Sequence, residues 1–581
     1  MNLGAITHRS AFSDCYALNK DEMVLNIRTG KDVTAVNLIC EDPFAYGIAG
    51  DHRWYGKTVP MTAETELKHN RIWTATVVPE YKRLQYYFEV YCGEEKLLMF
   101  EDDFYTEEDA DRQGRIKQYF KFPWLNCSDV ITIPQWVEST VWYQIMPDRF
   151  CRGDMDAKRM KLKDWDADRK PGFGDFYGGD LRGIINKLPY LHELGITGLY
   201  MIPVFASNSN HKYNTIDYTM IDPDFGTGED MRELVEKAHA LGIRVMLDAV
   251  FNHSGTGFFA WQDVWEKGED SAFFDWFCIN QRPFTRKRGS LRDGRFYGFA
   301  FIDEMPKLNT NNPEVVDYFT GICRGWIAQW GIDGIRFDVG NEVSHSFLKK
   351  LNAELKGVNP EIFLLGEIWH DSVQWLQGDE YDSVMNYPFM ESLHNFWVDN
   401  GSDSRDFMYA MNRCYSLYPR QVNRILFNFL DTHDTMRLFT RCQDADAAWQ
   451  QLAVLMTMPG TACIYYGTEI ALEGGHDPDC RRPMPWGRIE SGECDPELCQ
   501  MKQLIALRKQ HQIRDTKILW HHDPQNPRLV CYDRPGADGS AVRVYLNSQA
   551  HTVTVPDNKV LFSRGYRKGD LAPGGVVIME I

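Results

Sequence analysis

Three regions of the chain differ in the spacing of their apolar residues. Residues 1 to about 125 contain short runs in which apolar and polar residues alternate, as in strands with one buried face. From Val141 onward, strand-like apolar runs alternate with segments of helical periodicity, which predicts a parallel α/β domain. After about residue 515 the short strand-like runs return. We therefore predict an N-terminal β-sandwich (1–125), a central α/β domain (135–515) and a small C-terminal antiparallel β-domain (516–581).

Eight apolar runs of the central region are predicted to be parallel strands, with helices between most of them, which is the pattern of a (β/α)8 TIM barrel. The runs are 141–146, 198–203, 243–248, 333–338, 361–366, about 381–385, 425–430 and 460–465. After the third run, roughly sixty residues precede the next helix, far more than an ordinary loop contains. An inserted subdomain is therefore expected after strand 3, at about residues 252–312.

Local signals predict where some of the helices begin and end. Asn312 is a candidate N-cap, Pro313 suits the first helical turn, and apolar residues recur at helical spacing as far as Trp330. Thr227 and Asp230 form a capping-box pattern that predicts the start of another helix.

Composition and charge exclude several classes of partner. The 581 residues carry a formal net charge of -19, so a nucleic acid would be repelled rather than bound. The first twenty residues lack the pattern of a signal peptide, and no apolar stretch approaches the roughly 18 residues of a membrane span. The 14 cysteines show neither metal-type pairs nor a disulfide framework, which favours reduced thiols and a cytoplasmic protein.

Three carboxylates stand at the ends of predicted strands, Asp338 in GIRFDVGNE, Glu367 in IFLLGEIWH and Asp434 in LFNFLDTHD. The carboxyl ends of barrel strands meet on one face, and this is the face on which barrel proteins carry their functional sites. Cleavage of a glycosidic bond needs one carboxylic acid to protonate the leaving oxygen and one carboxylate to attack or stabilise the sugar carbon. Helix caps and structural ion pairs are the alternative explanation for each acid taken alone.

Basic side chains lie beside these acids in the sequence. Arg336 is two residues before Asp338, so in a strand both side chains point to the same side, and the guanidinium is expected to hold Asp338 ionised. His253 follows another predicted strand in DAVFNH, and His433 directly precedes Asp434. The alternative to a ligand-binding role, for either imidazole, is a buried histidine whose hydrogen bonds are made within the protein core.

At this point the sequence resembles the α-amylase family, glycoside hydrolase family 13. The ordered motifs that carry the resemblance are GLYMIPVF, HKYNTIDY, DAVFNH, GIRFDV, GEIWH, FLDTHD and GTACIYYG. MPKLN at 305–309 and GGHDPDCRRPMPW at 474–486 resemble the neopullulanase, cyclomaltodextrinase and maltogenic amylase subgroup. The N-terminal domain is similar in position and size to that subgroup's starch-binding-like module, which implies a homodimer formed through it.

The resemblance implies a role for each acid: Asp338 as nucleophile, Glu367 as acid/base and Asp434 as stabiliser of the transition state. The residues that it assigns to sugar binding are His211, Tyr213, His253, Arg336, Trp369, His433, Asp477 and Arg481. A surface ion pair remains the alternative for Asp477 with Arg481. A core or rim position remains the alternative for Trp369.

The sequence departs from the family's pattern at the residues that would bind calcium. Relatives often bind this ion with an Asn-Gly-Asp stretch after the first strand and a Gly-Gly-Asp turn, whereas this chain has Arg152-Gly153-Asp154 and keeps Gly178-Gly179-Asp180. Arginine offers no oxygen ligand and adds a positive charge that could lie against Asp154 or Asp180. We therefore predict that no metal or other cofactor is required.

The resemblance implies a retaining hydrolase of α-1,4-glucosidic bonds in cyclomaltodextrins, maltooligosaccharides and pullulan, with some transglycosylation. A glucanotransferase or sugar isomerase is the alternative within the family. A catalytically silent glucan-binding protein is the alternative of a different class, and such a protein is expected to lack one of the three acids, all of which are present here.

Overall fold

The computed structural model describes residues 1–47, 50, 53–112, 118–153, 160–399, 401–511, 516–536 and 539–581. The chain divides into two compact units. The first comprises Met1–Thr132, Val373–Gly378 and Arg405–Asn423, and the second comprises Ile133–Ser372, Asp379–Ser404 and Arg424–Ile581. Within the described residues, no helix is both long and apolar enough to cross a bilayer.

The first unit contains a sandwich of two antiparallel sheets. Its strands are β1 (Cys15–Ala17), β2 (Met23–Gly30), β3 (Ala35–Glu41), β4 (Lys57–Pro60), β5 (Thr62–Glu66), β6 (Asn70–Val77), β7 (Leu84–Cys92), β8 (Glu95–Met99), β9 (Phe104–Tyr105) and β10 (Phe120–Phe122). One sheet has the order β1-β2-β6-β5, and the other has β4-β3-β7-β8-β9 with β10 beside β7. Alternate residues of both sheets, such as Leu25, Trp73 and Phe88, form the core between them.

The second unit is built on a parallel barrel and ends in a separate antiparallel sheet. Its strands are β11 (Val141–Ile145), β12 (Gly198–Met201), β13 (Phe205–Ala206), β14 (Asp217–Ile221), β15 (Arg244–Ala249), β16 (Gly334–Phe337), β17 (Phe363–Gly366), β18 (Ser383–Val384), β19 (Phe427–Phe429), β20 (Thr461–Tyr465), β21 (Leu519–His521), β22 (Leu529–Pro535), β23 (Ala541–Asn547), β24 (Val553–Thr554), β25 (Val560–Arg567) and β26 (Asp570–Glu580).

The barrel strands run in the order β18-β17-β16-β15-β12-β11-β20-β19. A parallel bridge between Met385 and Phe427 joins the two ends of this order. All eight predicted strands are present, so the predicted TIM barrel is confirmed. The strands are buried on both faces because side chains fill the barrel interior and helices cover the outside.

The helices agree with the local signals in the sequence. They are α1 (Glu107–Arg112), α2 (Pro147–Phe150), α3 (Leu181–Leu194), α4 (Gly228–Ala240), α5 (Phe259–Lys267), α6 (Pro313–Trp330), α7 (His345–Val358), α8 (Tyr387–Trp397), α9 (Ser404–Ser416), α10 (Arg420–Asn423), α11 (Leu438–Cys442), α12 (Ala445–Thr457), α13 (Trp486–Glu490) and α14 (Asp495–Gln510). The Asn312 side chain caps α6 by accepting from the Glu314 N–H at 2.9 Å, and Thr227 with Asp230 forms the capping box of α4.

Two further predicted features, the inserted segment and the C-terminal sheet, are present in the second unit. Between β15 and α6 lie α5 and a compact set of short turns, in which Trp261 packs against Phe277 and Phe296. This segment is the expected insertion after strand 3. The C-terminal sheet has the order β21-β22-β23-β26-β24, with β25 also paired to β26, and is antiparallel throughout.

Candidate active site

A cavity of about 510 Å³ lies where the barrel strands end, and it brings most of the predicted site residues together. Those that border it are Asp338, Glu367, Asp434, His211, Tyr213, His253, Trp369, Asp477 and Arg481. Arg336 and His433 lie directly behind this wall, with 0% and 1% of their surface exposed. Residues distant in the sequence meet here because the strands are parallel and their carboxyl ends share one face.

Arg336 lies at the centre of the acidic side of the cavity. The β15–β16 register places Asp248 opposite Arg336, and Nη1 of the arginine donates to Asp248 Oδ1 at 2.9 Å and to Asp338 Oδ1 at 2.9 Å. Nη2 of the same guanidinium is 2.9 Å from Glu367 Oε2. One buried cation therefore faces three carboxylates.

This imbalance of charge governs protonation in the cluster. Burial raises the pKa of Asp338 well above its ordinary value, the Glu367 carboxylate raises it further, and Arg336 opposes both effects. Burial likewise raises the pKa of Asp248 to about 6. We expected Arg336 to hold Asp338 ionised, but its charge is shared with two other carboxylates and does not outweigh burial. The Asp338 carboxyl therefore keeps a proton to higher pH than an exposed aspartate.

Three donors fix the side chain of Glu367. The Val339 N–H donates to Oε2 at 2.9 Å, while Trp369 Nε1 and the Tyr387 hydroxyl each donate to Oε1 at 3.3 Å. Val339 has φ +46°, an unusual conformation for a β-branched residue, and it is this turn that aims its N–H at Glu367. The acid is thus held at a defined position on the cavity wall.

Asp434 occupies the opposite side and is more open, with a third of its side chain exposed. Arg481 Nη2 donates to Asp434 Oδ1 at 3.0 Å, and Arg481 Nε is 3.1 Å from Asp477 Oδ1. Arg481 is only 8% exposed and also donates through Nε to the His433 carbonyl at 2.8 Å. The Asp477–Arg481 pair therefore belongs to the cavity wall and is not a pair on an open surface.

Tyr213 connects the two sides through hydrogen bonds. Its hydroxyl donates to Asp248 Oδ2 at 3.0 Å and lies 2.7 Å from His433 Nε2, and the two rings stack with centroids 5.3 Å apart. Burial lowers the pKa of His433 well below its ordinary value. It also lowers the pKa of His211 to about 4 and that of His253 to about 3. All three imidazoles are therefore neutral near pH 7. His211 and His253 border the cavity and suit hydrogen bonds with sugar hydroxyls, whereas both ring nitrogens of the buried His433 already have partners, Gln144 and Tyr213.

Aromatic faces line the outer part of the cavity. Trp369 is 49% exposed and stacks on Tyr387 with ring centroids 3.8 Å apart. Phe299 stacks on His253 at 5.2 Å, and Phe173 borders the opening with 72% of its surface exposed. Exposed rings of this kind offer apolar faces to a sugar.

Sequence reasoning did not include Tyr387, Val339 or Asp248 among the site residues. Asp248 is the second-last residue of β15 and Tyr387 begins α8 just after β18, so both lie near strand ends, a signal that could have found them. Val339 directly follows Asp338, but its left-handed backbone has no sequence signature.

The two segments compared above with a calcium-binding pattern contain a cation of their own. Arg152 donates through Nε to the Tyr177 carbonyl and through Nη2 to the Lys163 carbonyl, both at 2.6 Å, and stacks over Trp165. Asp180 Oδ1 accepts from the N–H of Gly183 at 2.8 Å. Asp154 lies outside the described residues. Across the part of the chain that is described, no group of three or more His, Cys, Asp or Glu side chains is arranged to hold a metal ion.

Comparison with known proteins agrees with this architecture. The family model for the α-amylase catalytic domain matches residues 144–515, and that for the α-amylase N-terminal Ig-like domain matches residues 1–126. A cyclomaltodextrinase of Geobacillus thermopakistaniensis (strain MAS1) is 42% identical over 96% of this chain and 93% of its own length. An intracellular maltogenic amylase of Bacillus subtilis is 41% identical over 88% of this chain and 85% of its own.

A solved cyclomaltodextrinase structure has the same fold with a TM-score of 0.89 and 36% identity, over 100% of this chain and 98% of that one. The match confirms the fold predicted from the sequence, which consists of the barrel, the N-terminal sandwich and the C-terminal sheet. The chain belongs to the α-amylase family and is a glycoside hydrolase.

Proposed function

We propose that the protein hydrolyses α-1,4-glucosidic bonds with retention of configuration. The ionised form of Asp338, which Arg336 favours, is the nucleophile and attacks the anomeric carbon, while Glu367 protonates the glycosidic oxygen as that bond breaks. The ionised Glu367 then removes a proton from water, which attacks the same carbon and releases Asp338. A second sugar in place of water gives transglycosylation.

The observation that carries this proposal is the guanidinium shared by Asp338 and Glu367. Because its Nη1 lies 2.9 Å from one carboxylate and its Nη2 2.9 Å from the other, the two acids face the same small space. A retaining enzyme needs its two carboxyl groups about 5–5.5 Å apart, whereas an inverting enzyme leaves room for water at about 6.5–9.5 Å. The shared cation favours the shorter spacing.

The remaining residues bind the sugar around the bond that is cut. Asp434 accepts from hydroxyl groups of the distorted ring and stabilises the transition state, with Arg481 and His433 fixing its carboxylate. Tyr213 stacks beneath the ring, and the neutral His253 contacts its hydroxyls. Trp369, beside Glu367, provides a platform on the leaving-group side.

The substrates proposed are cyclomaltodextrins, maltooligosaccharides and pullulan. The cyclomaltodextrinase and maltogenic amylase relatives support this class by their names. We further propose a homodimer through the N-terminal domain, and a cytoplasmic location in keeping with the relative named intracellular. A silent glucan-binding protein is less well supported because all three acids border one cavity.

We also propose that activity does not require calcium. Arg152 supplies a positive charge and donates to the carbonyls of Tyr177 and Lys163, oxygen atoms of the type that calcium would use. Metal analysis of protein purified without chelator is expected to find no stoichiometric calcium. One tightly held calcium per chain would refute the proposal.

Product analysis on β-cyclodextrin tests the function. Linear maltooligosaccharides and maltose are expected, with the newly formed reducing end first appearing as the α-anomer. Asp338→Asn should abolish turnover, while Asp317→Asn, in an exposed ion pair with Lys350, should leave the rate unchanged. Binding of β-cyclodextrin without turnover would instead support the silent glucan-binding protein.

A further inference from the structure

A second cavity, of about 570 Å³, lies between the start of α12 and the C-terminal sheet. Arg441 precedes α12 on one side of it, and Arg528, Gln549 and Gly574 lie on the other. None of these residues borders the catalytic cavity. The volume is in the range of small-molecule sites, about 300–1,000 Å³.

Arg441 is the unusual member of this wall. Its Nε and Nη2 atoms are buried without a hydrogen-bond partner, and within the described residues it forms no ion pair. Burial lowers the pKa of this guanidinium, and the more distant Asp431 only partly offsets that effect. A buried cation without a partner is costly, and such groups normally have a counter-ion.

The nearby acids are engaged elsewhere. Asp446 pairs with Arg564 at 2.9 Å, and the Asp444 side chain caps α12 by accepting from the Asp446 N–H at 2.9 Å. Arg528 adds a further guanidinium, which donates to the carbonyls of Phe396 and Ser402. Although the chain has a net charge of -19, no carboxylate of this wall pairs with Arg441 within the described residues.

The other donors and the absence of an exposed ring indicate the kind of ligand. Gln549 Nε2 is also buried without a partner, which adds a donor to the same wall. Trp397 is only 5% exposed and its Nε1 donates to Gln450, so it offers no face for stacking a sugar. Unsatisfied donors around a cation suit an acceptor-rich anion, and the planar guanidinium suits phosphate or carboxylate.

We propose that this cavity, the Arg441 cavity, binds the phosphate or carboxylate group of a small anionic molecule. The site is separate from catalysis and does not depend on the proposed substrate. Arg441 provides the charge, and Gln549 and Arg528 shape the wall around the anion.

Calorimetric titration of the full chain with inorganic phosphate and with glucose 6-phosphate, at matched ionic strength, tests the proposal. Saturable binding of at least one of them is expected. Arg441→Gln should weaken it at least about tenfold, the effect of losing a charge-assisted hydrogen bond. Arg232→Gln, at an exposed arginine of α4 paired with Glu229, should leave it unchanged. Citrate in a parallel titration distinguishes a carboxylate from a phosphate ligand.

Two further variants keep the test decisive if Arg441→Gln does not fold. Arg441→Lys retains the charge and should weaken binding less than Arg441→Gln, and Gln549→Leu removes one donor and should weaken it moderately. No saturable binding of phosphate, glucose 6-phosphate or citrate by the wild-type protein would overturn the proposal. Equal affinity in all Arg441 variants, or tighter binding of maltose than of the anions at this cavity, would also overturn it.

Discussion

Replacing Arg336 with methionine tests the charge imbalance directly. The side chain has 0% exposure and faces Asp248, Asp338 and Glu367. Even with Arg336 present, burial raises the pKa of Asp248 from 3.8 to about 6, roughly two pH units, which corresponds to about 3 kcal/mol against the folded state above that pH. Removing one partner of a buried ion pair costs about 3–5 kcal/mol. With three carboxylates left uncompensated, we expect a loss near the upper end of this range.

The loss should depend on pH in a defined direction. A carboxyl group whose pKa is raised by folding destabilises the protein as pH rises from the unfolded value toward the folded one. Removing Arg336 raises the pKa of Asp248 and of Asp338 in the folded state further. The difference in free energy of unfolding between the wild type and Arg336→Met should therefore be small near about pH 4 and grow beyond about pH 6.

Scanning calorimetry of the wild type, Arg336→Met and Arg232→Met across this pH range measures the effect. Arg232 is exposed and paired with Glu229, so its loss should cost no more than about 1 kcal/mol at any pH. A deficit of Arg336→Met that is the same at all pH values, or as small as that of Arg232→Met, would refute the account of the cluster.

Three further changes have distinct expected results. Asp338→Asn removes one of the competing carboxylates and should raise the thermal midpoint at pH 7 while abolishing turnover; a lowered midpoint on calorimetry would contradict the proposed repulsion. Trp369→Ala should raise KM and lower the ratio of transglycosylation to hydrolysis, measured on maltotriose, whereas unchanged ratios would exclude a leaving-group platform. Val339→Gly keeps the N–H to Glu367 but relieves backbone strain of about 1–2 kcal/mol, so stability should rise, and an unchanged or lower midpoint would count against stored strain.

Much of this architecture could be predicted because it depends on short-range patterns. Strand-like runs separated by helical periodicity predicted all eight barrel strands, and the caps at Asn312 and Thr227 located α6 and α4. Since parallel strands share a direction, acids at their ends had to meet on one face. This is why Asp338, Glu367 and Asp434 could be proposed together from the sequence.

The features that escaped prediction arise from tertiary structure. The pairing of β15 with β16 determines that Arg336 serves Asp248 as well as Asp338, and the spacing of two residues in one strand could not show this. Val339 has a left-handed backbone and donates its N–H to Glu367, and neither feature has a signature in the sequence. The order of effects on the Asp338 pKa, with burial ahead of Arg336, likewise depends on how deeply the closed barrel buries the cluster.

The most direct test of the central claim is to trap the covalent intermediate. Incubation of the wild-type protein with 5-fluoro-α-D-glucosyl fluoride, followed by peptic digestion and mass spectrometry, should find one glucosyl ester on the peptide that contains Asp338. Asp338→Asn should remain unlabelled. An ester on Asp434 or Glu367, or hydrolysis that releases the β-anomer first, would contradict the assignment of Asp338 as the nucleophile of a retaining enzyme.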